Sequence, residues 1–271
     1  MGAKSLVPLF IAWVFFVNGC ALIPTELPAR IVLLAPFEGR YREVGYNAYY
    51  AIRLAFADVN PNIEFLPIDD GGSVSTAVER AYALTLDPQV RLALILGYSA
   101  TDAATQHAFG DIPLIIIGHW SAQPQRDGVF MLAAPTLDSL ITAPSGVEVT
   151  EAARLDAPVV GGEVFALLQF PMLRDSLENI IVVSSASLPD ADFRERYLAS
   201  AEFAPEPGLL ATLSYDAARI ALEGVMTSTT RAEVTQALST IQYDGLNGTI
   251  RFENGYWADA PIFTYASDEN S

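Results

Sequence analysis

The chain has 271 residues, 51% of them hydrophobic, and 32 Asp and Glu against 15 Lys and Arg give a formal charge of -17. That balance belongs to a folded globular protein and excludes a disordered one. A body this acidic repels phosphate backbones, which excludes nucleic acid as a partner.

The chain opens with Lys4, an apolar run over 6–17, then Asn18 and Gly19, the three-part layout of a secretory signal over 1–19. The run is too short for a bilayer span, which takes about 20 apolar residues. Val17-Asn18-Gly19-Cys20 resembles the bacterial lipobox, which implies cleavage before Cys20 and a diacylglycerol on its thiol. Cys20 is the only cysteine, so no intrachain disulfide exists. The alternative for Cys20 is a free thiol buried in an apolar helix. Acylation would hold the body on the outer face of a bacterial membrane, periplasmic or extracellular, without a span. Residues 20–28, with Pro24 and Pro28, read as the lipidated tether.

From residue 30 onward, apolar runs alternate with helix-period segments, as in a parallel sheet covered by helices. Strands are predicted at 31–35, 62–68, 91–96 and 113–117. The helices between them are predicted at 43–58, from a capping box at Thr76 and Glu79 to residue 86, and at 101–109. Four βα units make the expected fold α/β, a doubly wound parallel sheet. Three prolines between 131 and 160 point to irregular chain with a short helix near Ala152. A helix kinked at Pro171 is predicted over 164–177, and a strand over 180–184. Further helices are predicted at 214–224 and from a capping box at Thr230 and Glu233 to residue 241. Strands at 248–252 and 262–265 close the chain, joined through the turn pair Asn254-Gly255.

Ala35-Pro36-Phe37-Glu38-Gly39, Gly45 and the helix end Leu54-Ala55-Phe56-Ala57-Asp58-Val59-Asn60 resemble the opening of type I periplasmic solute-binding proteins of the leucine/isoleucine/valine-binding kind. So do Ile68-Asp69-Asp70, Leu96-Gly97, Ile112-Pro113-Leu114-Ile115 and Tyr215-Asp216-Ala217-Ala218. The closing run from Tyr243-Asp244-Gly245 through Asn254-Gly255 is similar to the family's terminal hairpin. The resemblance implies two lobes that clamp a solute. Here the second is reduced, because Pro158-Val159-Val160-Gly161-Gly162-Glu163 arrives early. Lobe one is then expected over 29–130 plus 192–247, and the reduced lobe two with the hinge over 131–191 plus 248–271. A lobe that small buries too little surface to stand alone and leans on lobe one or on a second copy in a homodimer.

The resemblance implies ligand contacts in the loops at the strand ends. Tyr41 lies in the first loop; Tyr98, Ser99 and Thr101 in the second; Trp120 and Ser121 in the third. Thr101 matches the residue that receives a ligand carboxylate, and a plain helix cap is its alternative. Trp120 reads equally as a ligand cover or as core packing. Glu163 matches an acid that pairs with a ligand ammonium, against the alternative of a solvated surface carboxylate. The implied solute is small, polar and amino-acid-like, delivered to an ABC-type permease. A shortened fold acting as a protein-interaction or envelope regulatory module is the competing reading. The two histidines, His107 and His119, are too few for a metal cluster with nitrogen and sulfur ligands. Asp69-Asp70-Gly71-Gly72 reads as a turn rather than a cation site. Without a nucleophile elbow, P-loop or dinucleotide fingerprint, no enzyme and no cofactor is expected.

Overall fold

A computed structural model describes residues 27–142, 159–166 and 180–266. The leader, Cys20, most of the tether, the helix expected near Ala152 and most of the one expected at 164–177 lie outside the described residues. In chain order the first strands and helices are β1 (Ala29–Ala35), α1 (Arg42–Val59), β2 (Ile63–Asp69), α2 (Val74–Thr85) and β3 (Val90–Ile95). They continue with α3 (Tyr98–Thr101), α4 (Ala103–Ala108), β4 (Leu114–Ile117), β5 (Val129–Leu132) and α5 (Leu137–Leu140). After β6 (Val159–Gly161) and a 3-10 turn (Glu163–Ala166) come β7 (Ile180–Ser184), α6 (Ala191–Ala199), α7 (Leu210–Met226) and α8 (Arg231–Thr240). Five short strands end the order: β8 (Tyr243–Gly245), β9 (Gly248–Ile250), β10 (Phe252–Glu253), β11 (Tyr256–Trp257) and β12 (Phe263–Ala266).

The main sheet has the order β10-β11-β5-β4-β3-β1-β2, all parallel except the β10 and β11 pair. Strands β4 and β5 are buried throughout and β1 nearly so, as expected where helices cover both faces. From β1 the chain moves outward to β2 and then reverses across β1 to β3. With right-handed crossovers, α1 therefore lies on one face and α2 and α4 on the other. Helix α1 packs on α7, and α2 packs on α4. The reversal puts a switch point at the carboxyl ends of β1 and β3, where doubly wound sheets hold ligands. Pro67 sits in β2, at the sheet edge, where its missing N–H breaks no ladder.

A second sheet has the order β12-β7-β6, with β6 parallel and β12 antiparallel to β7. Strands β8 and β9 form a separate hairpin. The chain thus returns to the edge of the main sheet at β10 and β11 before β12 joins the second.

Several sequence expectations are corrected. Helix α2 is capped by Ser73, whose hydroxyl accepts from Thr76 N at 3.3 Å, so Thr76 lies inside the helix and opens no capping box. The helix expected at 101–109 is two short ones. Asp102 is extended between them, and its carboxylate caps Ala104 N at 2.8 Å. Helix α7 begins at Leu210, ahead of Ser214. Strand β5 and helix α5 occupy part of the segment read as irregular; each is only four residues long, too few to show a period. Helix α6, capped by Asp190 through Phe193 N at 2.8 Å, was not expected. Finally, Asn254-Gly255 joins β10 to β11, not residues 248–252 to 262–265, because the pairing breaks at Arg251. The capping box at Thr230 and Glu233 forms as predicted, with both reciprocal bonds present.

Candidate functional site

Three loops meet at the switch point. The loop after β1 runs from Pro36 to the start of α1. Gly97, at φ +93°, lies where a Cβ would stand 2.9 Å from Pro36 Cδ, so only glycine lets the two loops close on each other. On this base a row of aromatic rings crosses the strand ends. Tyr41 meets Tyr98 edge-on with centroids 5.6 Å apart, and Tyr98 meets Trp120 edge-on at 5.4 Å. Trp120 is buried and its indole donates to Ile117 O at 2.7 Å, which locks the ring on the end of β4.

Tyr98, Ser99, Thr101, Trp120 and Ser121 line one pocket of about 460 Å³. Thr101 is buried; its hydroxyl donates to Gly97 O at 2.8 Å and keeps its lone pairs. Among the described residues no Lys or Arg lines this pocket, and its one acid, Asp102, is engaged as a helix cap. It therefore offers hydroxyls, amides and π faces, a set that suits a neutral polar solute. Gln106, on α4, is fully buried beneath it. The Gln106 amide donates to Thr101 O at 2.8 Å and Gln123 O at 3.0 Å, and its oxygen accepts from Gln125 N at 3.1 Å. This residue joins the second loop to the third. Its only signal in the sequence is a polar side chain at a core position of a helix.

Glu163 is held apart from that pocket. It is 2% exposed, which overturns the solvated-surface alternative. One carboxylate oxygen accepts from His119 N at 3.2 Å and the other from the Ser184 hydroxyl at 2.9 Å. The acid thus ties the turn after β6 to the loop after β4 and to the end of β7. It lines a void of only about 20 Å³ with Val44, Asn47 and Leu210. Gly118, at φ +80°, leaves room for it: a Cβ there would stand 3.0 Å from Leu210 and 3.5 Å from the carboxylate. Burial pushes the Glu163 pKa up, opposed by the nearby His119 ring and by the Ser184 and His119 donors. The His119 ring is itself buried and bonds Asp138 at 2.9 Å. Tyr98 is pushed up to about 12 by burial, with Tyr41 and Glu163 adding to it. Sequence reasoning missed His119 and Ser184 as partners of Glu163, and Asp138 as the partner of the His119 ring; Ser184, at the end of β7, carries no motif. Among the described residues, no group of His, Cys, Asp and Glu is arranged to hold a metal, and no helix is long and apolar enough to cross a membrane.

The fold is that of the leucine/isoleucine/valine-binding type I periplasmic binding proteins. The branched-chain amino acid transporter substrate-binding protein LivJ of Streptococcus pneumoniae, solved with isoleucine, superposes with a TM-score of 0.70 at 16% identity, covering 90% of this chain and 97% of its own. The leucine-binding protein LivK of Thermotoga maritima gives 0.68 at 15%, covering 90% and 96%. An extracellular ligand-binding receptor of Desulfohalobium retbaense gives 0.69 at 15%, covering 87% of this chain and 57% of its own. No family model and no curated protein matches the sequence.

Proposed function

We propose that this protein is a lipid-anchored, extracytoplasmic solute-binding protein that takes a small polar, amino-acid-like solute at the switch point for an ABC-type importer, without catalysis. The observation that carries the reading is the convergence of Tyr98, Ser99, Thr101, Trp120 and Ser121 on one pocket at the strand ends whose single acid is engaged as a helix cap. Solved proteins of this fold include binders of isoleucine and leucine. In this reading Glu163, close enough to Tyr98 to act on its hydroxyl, is the acid held in reserve. An ammonium reaching it on opening of the lobes would replace neutral donors with a charge-assisted bond.

The test is a thermal-shift and calorimetric screen of amino acids, small amides and short peptides. A ligand at about 100 times its Kd stabilises the fold by about 2.7 kcal/mol, and Thr101→Ala should weaken it. No stabilisation by any of these solutes overturns the solute reading. For the anchor, Cys20→Ala should move the protein from membranes to the soluble fraction. The competing reading, an interaction module, is favoured by one observation: each oxygen of Glu163 already accepts a bond from within the chain, one from His119 N and one from the Ser184 hydroxyl. It calls for self-association or a bound envelope protein, which sedimentation of the purified body would detect.

A further inference from the structure

At the other end of the main sheet, before β5, Arg126 stands out among the arginines. Arg30, Arg194, Arg196, Arg231 and Arg251 all pair with carboxylates at the surface. Arg126 is partly buried, and its bonds go to backbone carbonyls alone: Nε to Gln106 O at 3.0 Å, one terminal nitrogen to Asp127 O at 3.0 Å, the other to Ile112 O at 2.5 Å. A guanidinium has five N–H donors, so two remain without an acceptor among the described residues. Burial lowers the pKa of the group and only the distant charge of Asp111 opposes it.

Arg126 lines a cavity of about 610 Å³, within the range of small-molecule sites. Its wall joins two chemistries. Phe130 and Phe252, with centroids 4.9 Å apart, supply an apolar side, while Thr235, Ser239 and the Asn254 amide supply a polar rim. Among the described residues Arg126 is its only cation, and Asp127, the one acid, lies exposed at the edge. We infer that this cavity is a second binding site, distinct from the switch point, for a small organic carboxylate: the spare N–H pair of Arg126 takes the carboxylate and the two phenylalanines take an apolar body. A planar fork suits a carboxylate bidentately. A neutral solute would leave the guanidinium uncompensated.

The experiment is calorimetric titration of the full chain with 3-phenylpropanoate and hexanoate, alongside their primary amides and inorganic phosphate. Saturable binding of the carboxylates is expected, with the amides weaker by about 10-fold to 100-fold. Arg126→Gln should abolish the preference for carboxylate over amide. Because that change also removes clips on three carbonyls, Ser239→Trp serves as the second variant. Ser239 is an exposed helix position, and an indole there fills the cavity without touching the guanidinium's protein bonds. Loss of carboxylate binding in a folded Ser239→Trp supports the site. No saturable carboxylate binding, equal binding of acid and amide, equal binding of phosphate, or binding that survives Ser239→Trp each overturns it.

Discussion

At the scale of single residues, Glu163 decides most. Its carboxylate is fully buried and held by an amide, a hydroxyl and a neighbouring imidazole rather than by Arg or Lys. Because its folded pKa is raised, the native state holds the proton at pH values where the unfolded chain has released it. Stability therefore falls as pH rises from the ordinary carboxylate range through the folded value. Glu163→Gln keeps an acceptor for His119 N and removes the ionisation. It should stabilise the protein at pH 7 by on the order of 1 kcal/mol, with the gain shrinking toward pH 4. Urea unfolding of both proteins across that window checks this; a variant less stable at every pH would show that the ionised acid is well compensated. The sequence pointed to Glu163 through a glycine-rich turn and a family likeness. It was silent on the partners, because His119 and Ser184 reach the acid from strand ends far away in the chain. Similarly, Tyr98, Ser99, Thr101, Trp120 and Ser121 were legible as residues that follow strand ends, although the first three form the short helix α3 rather than a loop, whereas Gln106 was hidden inside α4.

Among elements, α7 and the β8–β9 hairpin show why the closing motif has the residues it has. Asp216, on α7, accepts from Leu246 N and Asn247 N at 3.0 Å each and from the Asn247 amide at 2.7 Å. Asn247 in turn accepts from Ser187 N at 2.7 Å and from Thr212 at 3.1 Å. One buried network thus ties the hairpin, α7 and the chain after β7. Gly245 admits it, since a Cβ there would lie 2.5 Å from the carboxylate. Asp216→Ala strands three donors away from water and should cost about 3 kcal/mol or more. Thr230→Ala, which opens only a solvent-side capping box on α8, should cost about 1 kcal/mol. Chemical denaturation ranks the two, and a reversed order would refute this account of the network. Strands β1 to β4 were readable because continuous apolar runs bounded by turns are local signals. The short β5, β8 and β11, and the broken strand at Arg251, were not, since two to four residues carry no period and their pairing is set by distant partners.

For the whole molecule the question is whether charge supports or opposes the fold. The ion pairs of Arg30, Arg194, Arg196 and Arg251 have partly to largely exposed partners, and such solvent-screened pairs contribute little. Against them stands a net charge of -17, concentrated on folding into a much smaller volume than in the unfolded chain. Pairs at contact distance are screened weakly by added salt, while repulsion among scattered carboxylates acts over the Debye length, about 30 Å at 0.01 M and about 8 Å at 0.15 M. Repulsion therefore loses more than attraction when salt is raised. Moving from about 10 mM to about 150 mM NaCl should stabilise the protein by about 1 kcal/mol, or roughly 2–4 °C in Tm for a chain of this size. Neutralising the exposed acids of α6 and the loop after it, Glu195→Gln with Glu202→Gln, should raise Tm at low salt and reduce the salt-dependent gain. Calorimetry at the two salt concentrations reads both effects, and a Tm that falls with added salt would mean that the surface pairs, not the net charge, dominate the electrostatics of this fold.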